Sequence, residues 1–123
     1  ESSAASDVYK RQGEWLGFIG VNYVSKDSHY PFKELPFYEI GWRLIPEVWG
    51  NGLATEGAEA VMKYARDKGI KELYSFTSEN NLPSRKVMEK LGMTFLDNFE
   101  YPNLSKYHPL KRHVRYYKEL LPS

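Results

Sequence analysis

The stretch PEVWGNGLATEG, residues 46–57, decides how this chain is read. A run of strand character, FYEIGWRLI over 37–45, ends at Pro46. Two glycines follow at a spacing of two, Gly50 and Gly52, and a helical pattern begins. Backbone N–H groups exposed at such a junction, with the positive end of the helix, form an anion cradle. Glycine there lets a phosphate approach the main chain. No Lys followed by Ser or Thr completes a Walker A loop. No third glycine or downstream ribose-binding acid completes a dinucleotide fingerprint. Taken alone, the spacing is equally consistent with an ordinary tight turn.

Outward from this junction the elements alternate. In 37–45, Phe37, Glu39, Gly41 and Arg43 share one face of a strand, and Tyr38, Ile40, Trp42 and Leu44 share the other. Residues 52–68 read as a helix with Leu53, Gly57, Val61, Tyr64 and Ala65 near one stripe, stopped at Gly69. A strand over 71–77 follows. Asn81 is placed to cap a second helix, with Pro83 in its first turn and a stop at Gly92. Strands are expected over 93–100 and 110–120, with a loop between them. Upstream, residues 14–24 read as a mostly buried strand in which Gly17 and Gly20 allow a neighbour to come close. Residues 25–36 read as a polar loop. There is no repeat and no linker, so one mixed α/β unit is expected.

Composition bounds the rest. The 123 residues carry 17 Lys plus Arg against 16 Asp plus Glu, so no global field points to nucleic acid or an anionic membrane. With 41% hydrophobic residues the chain can bury a core. The absence of cysteine removes disulfides, thiolate zinc sites and cysteine nucleophiles. The apolar runs fall short of the ~20 residues of a membrane helix. His29, His108 and His113 are too scattered to suggest a metal site. Basic and aromatic residues interleave after Tyr101, which suits nucleic acid, but a strand with one solvated face accounts for them more simply.

Residues 1–12, ESSAASDVYKRQ, show no strand or helix period. Residues 2–12 back-translate, codon for codon, into an adapter of transposase-based sequencing libraries. They are therefore expected to be a non-native tail, with the domain proper over residues 13–123.

Three segments considered together are more specific than any one: EIGWRLIPEVWGNGLATEG (39–57), KELYSFT (71–77) and NNLPSRKVMEKLGM (80–93). With the tail YHPLKRHVRY (107–116), they make the chain resemble the GNAT superfamily of acyl-CoA N-acetyltransferases, in particular its RimJ/RimL-like branch. The resemblance implies the GNAT fold and transfer of acetyl from acetyl-CoA, as co-substrate, to a primary amine, with no metal. It implies that Trp49, Gly50, Asn51, Gly52, Leu53, Ala54 and Thr55 form the loop on the CoA pyrophosphate. The family pattern there is Gln or Arg, two residues, Gly, one residue, then Gly or Ala. Trp49 departs from Gln or Arg, although an aromatic suits this branch. Asn81 matches the asparagine that hydrogen-bonds the pantetheine arm, and Leu44 and Ile45 match the strand end whose backbone pairs with it.

The attacking amine must be neutral, yet lysine-type amines have pKa values near ~10.4. A carboxylate takes that proton directly or through water. Glu39 is the candidate base, with pairing to Arg43 on the same strand face as its structural alternative. The leaving thiolate needs an acid. Many members of the family have a Tyr seven residues after the helix asparagine, where this chain has Met88. Ser84 is the nearest alternative donor, and a solvated or capping serine is its plain reading. A main-chain N–H of the 37–45 strand is suited to hold the oxyanion. Arg85 and Lys86 suit either a CoA phosphate or an exposed helix face.

The family's first strand, two helices and next strand are expected to be missing before Gly13. The strand over 14–24 would then carry an unpaired edge, and the fragment would be crippled in transfer. The partner implied is an amine-bearing acceptor, without nucleic acid or membrane, in the cytoplasm. A non-catalytic acyl-CoA-binding module of the same fold is the alternative.

Overall fold

A computed structural model describes residues 3–11, 14–46 and 52–121. Its elements are β1 (Ser3–Arg11), β2 (Glu14–Val24), β3 (Phe37–Leu44), α1 (Leu53–Asp67), β4 (Glu72–Ser78), α2 (Leu82–Lys90), β5 (Thr94–Glu100) and β6 (Arg112–Glu119). The strands form one six-stranded mixed sheet in the order β1-β2-β3-β4-β6-β5. Only β3 and β4 run parallel, and α1 is the crossover between them. The mixed α/β class expected from the sequence is therefore observed.

Each face of the sheet carries its own core. Ile19, Val21, Ile40, Leu73, Val114 and Tyr116 face the helices. From α1 they meet Ala54, Ala58, Val61, Met62 and Ala65, whose small side chains let the helix lie close. The expected stripe shifts slightly: Tyr64 is exposed at 47% and accepts Lys68 over its ring, while Ala58 and Met62 turn inward. On the opposite face Val24, Phe32, Phe37 and Tyr74 cluster beneath the loop 25–36. That loop is less polar than its composition suggests, because Tyr30 and Phe32 stack on each other and fold back onto Phe76.

Two expectations are corrected at the N-terminal end. Residues 3–11 do not lie outside the fold: they form β1, antiparallel to β2 from Ser3↔Asn22 to Arg11↔Glu14. The strand next to β2, expected to be missing, is present, and β2 has no unpaired edge. The pairing uses main-chain groups, which any proline-free segment supplies whatever its codons.

Gly17 shows the close approach expected of it. It pairs with Leu44, and a Cβ placed on it would collide with Leu44 Cδ2 and stand 2.6 Å from the Arg43 carbonyl oxygen. Gly17→Ala must push β3 away, at an expected cost of about 1–3 kcal/mol. Urea unfolding is the check, and an unchanged midpoint would show that β3 yields freely there.

Candidate active site

The site begins where two strands part. The parallel pairing of β3 and β4 is a single register point, Glu39↔Tyr74. At the fork the buried Ser75 Oγ donates to the Ile40 carbonyl at 2.7 Å. Beyond it, Gly41–Leu44 and Ser75–Thr77 line opposite walls of a cavity of about 460 Å³. A crevice at the carboxyl ends of parallel strands is where open α/β sheets bind ligands.

On the helix side of the cavity a chain of hydrogen bonds ties both walls to α2. Trp42 Nε1 donates to Ser84 Oγ (3.1 Å), Ser84 N–H donates to Asn81 Oδ1 (3.2 Å), and Asn81 Nδ2 donates to Thr77 Oγ1 (3.1 Å). Asn81 is thus the N-cap foreseen in the sequence, pinned to the end of β4. It keeps one N–H and one lone pair for a ligand. Ser84 is neither solvated nor a cap: it is 5% exposed, lines the cavity, and keeps its O–H free to donate because Oγ accepts from Trp42. Met88 lines the same cavity.

A second groove, of about 390 Å³, shares Pro83 with the cavity's lining and lies between the start of α1 and α2. Gly52, Ala54 and Thr55 form one side, and Lys86 and Lys90 the other. Gly52 is the N-cap of α1 in the left-handed conformation, φ 85°, which favours glycine, and it offers no side chain to cap the helix. A Cβ there would meet no atom within 4 Å, so it would stand in the open groove. Positive helix end, open glycine and two ammonium groups fit a phosphate-bearing ligand. Leu44 lines the cavity, whereas Leu53 and Ile45 pack against the core. Trp49, Gly50 and Asn51 lie outside the described residues. Arg85 is bound to the Glu79 carbonyl and the Tyr116 hydroxyl, so of the two candidates only Lys86 faces the groove.

The opposite half of the cavity is aromatic and polar. Glu39 lies on that face, next to the lining rather than in it. A Cβ on cavity-lining Gly41 would stand 3.5 Å from its Oε1, and Asn22 Nδ2 donates to its Oε2 at 3.0 Å. Burial raises its pKa above the ordinary carboxylate value, with the Asn22 hydrogen bond opposing. The structural alternative, pairing with Arg43, is not formed: Arg43 is exposed, and no ion pair joins the two among the described residues. Tyr30 and Tyr101, joined hydroxyl to hydroxyl at 3.3 Å, and His113 line this half as well. Burial pushes the Tyr30 pKa up first, and the hydrogen bond to Tyr101 adds to it.

These three residues were not singled out in the sequence as parts of a site. Tyr30 sits in a loop, and only the return of that loop brings it to the cavity. The usable signal was the alternation of His113, Arg115 and Tyr117 in the last strand, which marks one face.

That strand also corrects the solvated-face expectation. β6 lies between β4 and β5, and residues 113–116 are all buried. The basic residues there are committed. Lys111 Nζ donates to the Tyr101 and Leu104 carbonyls, Arg112 pairs with Glu79, and Lys118 Nζ donates to the Leu91 carbonyl. Arg115 is held by Asp97 and Glu34. Charges paired within the fold do not make a patch for a nucleic-acid backbone. No helix among the described residues is long and apolar enough to cross a membrane.

Comparison with known proteins agrees with this geometry. The acetyltransferase (GNAT) domain family matches residues 3–94. An Aspergillus fumigatus protein, FsC-acetyl coenzyme A-N(2)-transacetylase, is 39% identical over 96 residues, covering 71% of this chain and 41% of that protein. The chain spans less than half the length of the curated relatives it matches. A Bacillus anthracis GNAT-family acetyltransferase structure superposes with a TM-score of 0.67 at 26% identity, covering 89% of this chain and 61% of that one. The structure of yncA from Salmonella typhimurium, solved with its cofactor acetyl-CoA, shares the fold at a TM-score of 0.74 and 16% identity, covering 94% and 64%.

Proposed function

The chain belongs to the GNAT family of acetyltransferases, and on that premise we propose that it transfers acetyl from acetyl-CoA to a primary amine by direct attack on the thioester. The observation that carries this reading is the parting of β3 and β4 after Glu39↔Tyr74, with a phosphate-suited groove on one side and a buried carboxylate on the other. The relative from Aspergillus fumigatus names acetyl coenzyme A as donor and a nitrogen as acceptor, which supports the same chemistry here. Trp49 and the tail over 107–116 favour the RimJ/RimL-like branch, and a cytoplasmic site of action goes with a soluble acyl donor.

In this reading the CoA phosphates bind main-chain N–H groups of the loop Gly50, Asn51, Gly52, Leu53, Ala54 and Thr55, of which Gly52, Ala54 and Thr55 line the groove with Lys86 and Lys90. The pantetheine arm passes Asn81 and pairs with the exposed edge of β3 toward Leu44 and Ile45. Acetyl-CoA supplies an acetyl group already activated as a thioester. Glu39, directly or through water, takes the proton the amine loses as its nitrogen bonds to the acetyl carbon. The Ser84 hydroxyl donates to the departing sulfur, and Trp42 Nε1 orients that hydroxyl. Neither role calls for a metal.

Gly52→Val places a branched side chain in the open groove and in a left-handed conformation. CoA affinity by calorimetry is expected to fall at least about tenfold, near 1.4 kcal/mol, while strain lowers stability by about 1–2 kcal/mol. Unchanged affinity would remove the phosphate cradle from the proposal. Release of CoA thiol on mixing acetyl-CoA with an amine tests transfer itself. Tight CoA binding without release would favour the non-catalytic acyl-CoA-binding module.

A further inference from the structure

Side chains alternate along β3. Ile40 and Leu44 pack into the core beneath the helices and Phe37 into the opposite one, so Glu39, Gly41 and Arg43 lie on the Phe37 side, under the loop that carries Tyr30. Opposite them on β2 stand Asn22, Gly20 and Phe18. Residues directly opposite in an antiparallel pair share a face, so Gly20↔Gly41 leaves a stretch of sheet bare of side chains. Glu39 with Asn22 closes one end of it, and Arg43 with Phe18 the other. A Cβ on Gly41 would meet, beyond its chain neighbours, only the Glu39 carboxylate oxygens within 4 Å, so the space above it is open. Gly41 and Arg43 both line the cavity between β3 and β4. Arg66, Arg85, Arg112 and Arg115 each hold a protein carboxylate or carbonyl, whereas Arg43 is exposed and has no ion pair or hydrogen bond among the described residues.

We propose that Arg43 determines acceptor specificity: its guanidinium binds a carboxylate on the substrate, while the amine of the same molecule lies toward Glu39 over the bare glycine pair. The acceptor class this selects is a zwitterionic amino acid, rather than a plain or doubly cationic amine. The planar fork of a guanidinium matches the two oxygens of a carboxylate. Glu39 and Arg43 stand four residues apart, about 13 Å along a strand, and their side chains span only part of that distance. The carboxylate therefore belongs several bonds from the amine, not on the same carbon. Opposite charges at the two ends orient such a substrate, and the guanidinium repels an amine whose far end is a second cation.

This proposal rests on the acetyl-transfer reading, and its test separates the two. Initial rates of CoA release are measured with 4-aminobutyrate, butylamine and putrescine, which share the amine and end in a carboxylate, a methyl and an ammonium group. Arg43→Gln should lower kcat/KM for 4-aminobutyrate relative to butylamine about 10-fold, the size of a hydrogen bond to a charged group. Arg43→Lys, which keeps the charge without the fork, should lower it less. Arg43→Glu should lower it further and raise putrescine relative to butylamine, reversing the order of the two charged amines. A purely structural role would lower all three amines alike. That result with Arg43→Glu, or an order of preference that the substitutions leave unmoved, overturns the assignment and leaves acetyl transfer standing. Wild-type protein that binds acetyl-CoA but releases no thiol with any of the three amines overturns the acetyl-transfer reading, and the assignment with it.

Discussion

Glu39→Gln is expected to lower turnover about 100-fold near neutral pH, the usual size of a lost general base. Gln keeps an oxygen for the Asn22 Nδ2 donor, so the hydrogen bond at 3.0 Å survives while the basicity goes. The loss should shrink as pH rises, because the free amine then deprotonates without help. Since burial raises the Glu39 pKa, the acid limb of the wild-type kcat/KM profile should lie above the ordinary glutamate value of about 4.3. The sign for stability runs the other way from that for activity. A carboxylate whose folded pKa is raised weakens the fold once it ionises, so Glu39→Gln should be no less stable than wild type at neutral pH. A slower but equally stable enzyme would mark a residue kept for chemistry. An unaltered pH–rate profile would return Glu39 to a structural role with Asn22.

The second large effect concerns Arg115, which is 3% exposed in the middle of β6. Its Nε and Nη2 donate to the two carboxylate oxygens of Asp97 at 3.1 and 2.8 Å, and its Nη1 donates to Glu34 at 2.9 Å. The guanidinium also lies 4.1 Å from the Phe32 ring centroid. One side chain therefore fastens β5 and the loop 25–36 to β6. Arg115→Ala removes the fork and the packing together, and about 3–5 kcal/mol of stability should go with it. Arg115→Lys keeps the charge but not the planar fork, so it should recover only part.

Arg115 holds the Glu34 carboxyl below its ordinary pKa, chiefly through their hydrogen bond. A depressed carboxylate stabilises the fold above the unfolded pKa, near ~4.3, and that contribution is lost as pH falls through the folded value. Wild-type stability should therefore decline more steeply than that of Arg115→Ala as urea melts are taken below about pH 4.5. Equal acid slopes would mean that the Glu34 pair contributes nothing. Because the same loop carries Tyr30 to the cavity, Arg115→Ala should also raise the KM for the amine more than that for acetyl-CoA.

Strand and helix periods, the glycines at the strand–helix junction, Asn81 as a cap and the motifs around them determined the class of fold and the family. These are local properties: a cap, a turn glycine and a strand face depend on residues a few positions away. Ser84 and Glu39 were also visible as candidates, because chemistry limits which residue types serve. What only the tertiary structure decided was long-range. Tyr30, Tyr101 and His113 meet across separations of 71 and more residues, or through a strand insertion between β4 and β5, and no local pattern encodes such a meeting. Glu39 turned to Asn22 rather than Arg43 because an antiparallel neighbour stands opposite it, whereas a residue two positions along the same strand lies farther off. Residues 3–11 joined the sheet through backbone groups, which carry no side-chain signature to read. Arg112 and Arg115 were committed for a similar reason: their partners Glu79, Glu34 and Asp97 are distant in the chain, and only folding puts opposite charges within hydrogen-bond distance.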